Sequence, residues 1–266
     1  MEAHAFTAED MGEPRLLRVG GGEAVVFSRR CPDGEGPNQD AAAVVSVGAY
    51  RGVLLVADGL GGRPEGAAAA ARAVRCLEAA LLRAAGAADD LRGAILDGVE
   101  QANQAVMELG AGAGTTLAIA ECEGRTLRPY HVGDSAIWIV GQRGRVKLQT
   151  ISHSPVGYAL ESGLLDEQQA LHHDERHVIS NVVGGPDMRI EVGSRLPLAA
   201  RDTVLLGTDG VFDNLAADEI VEIVRKGPLQ GAARSLAETC ARRMSAPEAG
   251  RPSKPDDHTF IVFRPG

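Results

Sequence analysis

Val53-Leu54-Leu55-Val56-Ala57-Asp58-Gly59-Leu60-Gly61-Gly62 is the stretch on which the fold turns. A short apolar run delivers one carboxylate, and three glycines in the next four positions remove side-chain bulk behind it. The run reads as a buried strand and the glycines as its tight exit. A carboxylate held at a strand end, with bare backbone beside it, can grip a hard cation through carboxylate, carbonyl and water oxygens. Taken alone, the same residues also fit an ordinary strand-to-turn Asp-Gly.

The surrounding chain supplies the architecture. Upstream, residues 24–28 and 41–47 read as strands, the second joined to 52–57 by a hairpin at 48–51. Residues 31–37 are loop chemistry, and 1–20 show no period, so an N-terminal extension is expected before a single domain at 21–266. Downstream, the alanine-rich 65–85 and the stripe Leu91, Ile95, Val99, Ala102 and Val106 predict two consecutive helices. Strands follow at 115–121, 126–132 and 136–140. An irregular segment at 152–187 holds His153, His172, His173 and His177 and a short helix capped by Asp166. A strand at 203–207, helices at 217–225 and 229–244, with Asp218 as N-cap of the first, and a strand at 258–264 complete the reading. Strands in antiparallel-style runs and helices in pairs predict an α+β fold rather than a doubly wound sheet. No GxGxxG follows the first strand and no GxxxxGK[ST] occurs.

Composition sets the limits. Apolar residues make up 44% but aromatics only 3%, so Ala, Val, Leu and Ile must pack the core. A formal charge of -9 argues against nucleic-acid or anionic-membrane partners, and the pairs Arg29-Arg30 and Arg242-Arg243 read as solvated faces. The four cysteines form no CxxC pair, which fits neither zinc nor a disulfide framework and suits a reducing compartment. With no signal-peptide pattern and no stretch approaching ~20 apolar residues, a cytoplasmic protein is expected.

Asp58 is one of four aspartates set against apolar runs: Asp134 lies between two strands, Asp209 follows 204–208, and Asp256 precedes 258–263. Each alone is a common turn residue. Converging on one pocket, such charges would repel unless a cation sat between them, and oxygen-only ligands select magnesium, manganese or calcium. Two such ions close together activate water and polarise a phosphoryl group.

In order along the chain, Asn38-Gln39-Asp40, Val56 to Gly62, Gly112-Ala113-Gly114-Thr115-Thr116, Val132-Gly133-Asp134-Ser135, His153-Ser154-Pro155-Val156, Leu205 to Leu215 and Asp256-Asp257-His258-Thr259 resemble the motifs of the PPM family, the type 2C metal-dependent serine/threonine protein phosphatases, in their bacterial form. The resemblance implies an αββα sandwich of two antiparallel sheets, with a flap at about 156–183. Carried over residue by residue, it implies that Asp58 bridges two manganese or magnesium ions, with the Gly59 carbonyl on the second. Asp209 and Asp256 hold the first ion, and Asp40 orients water. Asp134 with Asp209 forms a weaker third site. Phosphorylated proteins are the implied substrates, a serine/threonine kinase an implied signalling partner, and the expected state is a monomer.

The departures from the family pattern fall on the substrate side. Glu35 stands where an arginine usually holds the phosphate, leaving Arg29 and Arg30, beyond an apparent insertion, as phosphate-binding candidates. Leu60 follows Asp-Gly, Ala136 follows Asp134-Ser135 where the family has Arg, Ser152 precedes His153, and Asn181 replaces a flap-end Arg. A catalytically weak scaffold and a small-molecule phosphomonoesterase are therefore the alternatives to an active protein phosphatase.

Overall fold

A computed structural model of the chain describes residues 2–32, 34–60, 65–84, 91–110, 112–166, 169–170, 173–175 and 178–266. Two antiparallel sheets form its centre. The first has the order β1 (Glu2–Thr7), β4 (Asp40–Ser46), β5 (Arg51–Asp58), β6 (Leu117–Glu123), β7 (Thr126–Val132) and β10 (Glu191–Val192), with β11 (Leu196–Pro197) also on β7. The second has the order β2 (Arg15–Val19), β3 (Gly22–Arg29), β13 (His258–Pro265), β12 (Thr203–Gly207), β8 (Ala136–Val140) and β9 (Val146–Gln149).

Alternation along each strand builds four layers. On β5, Val53, Leu55 and Ala57 pack against α1 (Glu65–Ala84) and α2 (Leu91–Met107). Leu54 and Val56 point the other way, into an inter-sheet core with Ala42, Val44, Val26, Ile139, Leu206 and Ile261. The opposite face of the second sheet, with Phe27, Trp138, Leu205 and Phe260, is covered by Leu215 and by α5 (Ala217–Val224) and α6 (Leu229–Ser245). Both faces of both sheets are therefore buried, which is why the strands read as continuous apolar runs. The expected αββα sandwich is the observed one.

Several expectations need correction. The described part of 1–20 is not a loose extension: β1 pairs with β4 from Glu2↔Ser46 to Thr7↔Ala41, and β2 pairs with β3. Both are edge strands with few buried side chains, so little hydrophobic period marks them. Arg243 is no solvated residue. It is 1% exposed on the inner stripe of α6, where Glu219 Oε1 accepts from its guanidinium at 2.9 Å. Asp218 does not cap α5. The helix starts at Ala217, and Glu219 Oε2 accepts from the Ala216 N–H instead. The segment 152–187 opens with α3 (Pro155–Glu161), where the Gly157 N–H donates to Ser154 Oγ. Asp166 Oδ1 accepts from the Gln169 N–H as its carbonyl does from the Ala170 N–H, whereas residues 167–168, His172 and His177 lie outside the described residues.

Candidate metal centre

The centre forms where four strands of the two sheets end together. Asp40 opens β4 and Asp58 closes β5, and the two are direct cross-strand partners. By alternation from Ala42 and Val56, both carboxylates lie on the inter-sheet face. From the second sheet, β12 runs into Thr208 and the short helix α4 (Asp209–Phe212), beside Asp256 and Asp257 at the entry to β13. The Thr208 hydroxyl donates to Asp40 Oδ2 at 2.9 Å, joining the sheets at this edge.

Both Asp-Gly steps now have a steric cause. A Cβ on Gly59 would sit 2.1 Å from the Gly66 carbonyl oxygen, and one on Gly210 would sit 1.9 Å from that of Asp257. Only glycine lets the backbone pass there, so the aspartates are delivered where no side chain follows. The Asp58 backbone is clamped as well: its carbonyl accepts from the Thr116 N–H and the Thr115 hydroxyl, both at 2.8 Å, and its N–H donates to Thr116 Oγ1.

Charge is the defining property of the cluster. Burial, then Asp209, Asp40, Asp134 and Asp256, push the Asp58 carboxyl well above the ordinary range. Burial and Asp257 do the same to Asp40, against the opposing Thr208 hydrogen bond. Burial and Asp209 raise Asp256, and burial with Asp209 and Asp213 lifts Asp134 to about 7. Asp134 Oδ1 is buried without a hydrogen-bond partner among the described residues. An all-oxygen donor set with an orphaned buried carboxylate oxygen fits a hard divalent cation.

Some functional residues carry weak sequence signals. Asp257 Oδ1 and Oδ2 accept from the N–H groups of Cys31 and Gln39 at 2.7 and 2.6 Å, fixing the loop that presents Asp40. Lys254 contacts Asp209, Asp213 at 3.3 Å and Asp256 at 2.9 Å, which brings Asp213 into the same charge cluster. Lys254 has no signal beyond proximity to Asp256, and Asp257 has only its place in the Asp256-Asp257-His258-Thr259 stretch. Arg29 and Arg30 are not drawn to the aspartates by any ion pair or hydrogen bond among the described residues. Arg29 Nε donates to the Met11 carbonyl, and Arg30 donates to Asp10 and to the Gly34 carbonyl.

His131, His153 and Glu191 also approach one another closely, but their hydrogen bonds close that trio to a metal. The N–H of Gly133 donates to His153 Nδ1, so its single neutral lone pair is taken and Nε2–H faces Glu191 at 3.1 Å. His131 Nε2 meets the Ile151 carbonyl at 2.8 Å, so the neutral ring carries its hydrogen on that nitrogen. The trio braces the Gly133-Asp134 turn, with Asn181 Nδ2 also on His153 Nδ1 at 2.8 Å.

Fold and site together define a metal-dependent phosphatase. The family model for protein phosphatase 2C matches residues 29–248, and the chain belongs to that family. The activity that goes with this membership is hydrolysis of phosphoserine and phosphothreonine on proteins. Among curated relatives, protein phosphatase PhpP of Streptococcus pneumoniae is 30% identical over 195 residues, 70% of this chain and 78% of its own length. Among solved structures, the PPM Ser-Thr phosphatase MsPP from Mycobacterium smegmatis, in complex with cacodylate, is 28% identical. It superposes with a TM-score of 0.74, covering 91% of this chain and 98% of its own. The catalytic domain of PstP in complex with two manganese ions superposes at 0.71 with 23% identity, covering 94% and 98%, and shares the fold.

Proposed function

We propose that Asp58, Asp209, Asp256 and the Gly59 carbonyl hold two divalent ions, manganese or magnesium, and that Asp134 with Asp209 offers a weaker third position. When bound, such ions lower the pKa of water and neutralise charge on a phosphoryl group. The protein's own residues supply the frame. Asp40, held by Thr208, orients water beside Asp58. Asp257 keeps the Gln39-Asp40 step in place, and His153 fixes the Gly133-Asp134 turn. The observation that carries this reading is the convergence of Asp40, Asp58, Asp134, Asp209 and Asp256 from both sheets on one edge, where burial and neighbouring carboxylates raise Asp40, Asp58, Asp134 and Asp256. The PstP neighbour, with its two manganese ions, supports the choice of metal. The segment 156–183 is proposed as a flap over this edge, and the chain as a single domain acting as a cytoplasmic monomer opposite a serine/threonine kinase.

A second reading has its own observation. Arg29 and Arg30 are engaged elsewhere and Glu35 is exposed, which favours weak turnover or a scaffold role. The discriminating assay offers a phosphothreonine peptide and a panel of small phosphomonoesters with added manganese. Peptide hydrolysis supports the protein phosphatase. Turnover of small esters alone supports the phosphomonoesterase, and metal binding without turnover supports the scaffold.

A further inference from the structure

Lys254 is an unusual neighbour for a carboxylate metal centre. Its position is built rather than incidental. Asn214 Nδ2 donates to the Lys254 carbonyl and Asn214 Oδ1 accepts from the Lys254 N–H, both at 2.8 Å. The preceding turn is fastened to α6, where the Ser253 hydroxyl donates to the Arg243 carbonyl at 2.9 Å and the Arg243 guanidinium reaches the Pro252 carbonyl. From this pinned backbone the ammonium reaches Asp209, Asp256 and Asp213 together, with its side chain only 27% exposed. An ammonium is a compact point charge that can stand among carboxylate oxygens much as a small cation does. Two of its three partners, Asp209 and Asp256, are the carboxylates assigned to one and the same divalent ion.

We propose that Lys254 is a tethered competitor for the metal centre: its ammonium holds Asp209 and Asp256 when no ion is present, and metal enters their shared position by displacing it. The inference rests on the metal-centre reading above. Without the ion, three carboxylates on adjoining turns would face one another unscreened, and Lys254 supplies the opposing charge. With the ion, the same ammonium opposes entry, so half-occupancy of this position requires a higher metal concentration than the carboxylates alone would need. The segment 246–257 then becomes a specificity element, setting how much free metal the phosphatase needs.

The test uses the full chain. Manganese binding is followed by calorimetry in the native protein, in Lys254→Met, which keeps bulk and loses charge, and in Lys254→Arg, which keeps the charge. Manganese should bind Lys254→Met at least tenfold more tightly than the native protein and Lys254→Arg no more tightly. The metal-free melting temperature of Lys254→Met should fall. Equal or weaker binding by Lys254→Met overturns the competition while leaving the metal centre standing, and binding to none of the three overturns both. A second readout needs no variant. The chain has three lysines, Lys147, Lys226 and Lys254. Reductive methylation of native protein should proceed severalfold faster at Lys254 when manganese is added, with Lys226, already exposed, as the unchanged reference. A Lys254 rate indifferent to metal would refute displacement.

Discussion

Asp134→Asn should stabilise the metal-free protein more at high pH than at low pH. Burial, and then Asp209 and Asp213, raise this carboxyl from 3.8 to about 7 in the folded chain. A group with a raised folded pKa binds more protons in the native state, so its contribution to stability declines as pH rises from about 4 to 7. At ~1.36 kcal/mol per tenfold change, the accumulated cost is at most ~4 kcal/mol at pH 8 and only ~1.5 kcal/mol at pH 5. The carboxyl keeps some contact with solvent, and Lys254 opposes the shift. A difference of ~2 kcal/mol between the two pH values is therefore the working figure. Asparagine keeps the shape and cannot ionise. Any fixed effect of the substitution cancels when the two pH values are compared. The assay is thermal unfolding of native and variant protein under excess chelator at pH 5 and pH 8. At ~2 °C per kcal/mol for a chain of this size, the variant's advantage should be ~4 °C larger at pH 8. An offset that is the same at both pH values, or larger at pH 5, refutes the account of the buried cluster.

Two further predictions probe the backbone and the arginines. Gly210→Ala should cost at least ~3 kcal/mol, because its Cβ would lie 1.9 Å from the Asp257 carbonyl oxygen. It should also weaken manganese binding, and a melting temperature within a degree or two of native would contradict the close approach. Arg29→Ala and Arg30→Ala should leave the Michaelis constant for a phosphopeptide within about twofold of native, since both side chains are engaged by the N-terminal segment and the 31–37 loop. A rise of tenfold or more in either would show that the arginine leaves these partners for substrate.

Asp58, Asp209 and Asp256 stood out because each bounds a strongly apolar run, and only their recurrence and the ordered family motifs set them apart from common turn residues. The central strands and the helix pairs were legible from their apolar patterns, whereas the stacking of two sheets came only with the family resemblance. What escaped was whatever depends on tertiary partners. β1 and β2 are edge strands with mostly polar or half-exposed residues, and β10 and β11 have two residues each. Arg243 lies on an alanine-rich stripe, and only the packing of α5 against α6 brings Glu219 to it. Lys254 sits in a proline-bearing loop whose course is set by Asn214, forty residues earlier in the chain. Arg29 and Arg30 illustrate the converse. Their charge suggested phosphate, but Met11 and Asp10, which engage them, sit on a segment read as a loose extension.

The central claim, that this carboxylate edge holds the metal that turnover needs, is tested most directly by one rate measurement. Hydrolysis of a phosphothreonine peptide is followed after exhaustive chelation and after manganese is restored, in native protein and in Asp58→Asn. The account predicts no hydrolysis without metal, recovery in native protein, and a rate at least ~100-fold lower in the variant. Hydrolysis that survives both chelation and Asp58→Asn would contradict it.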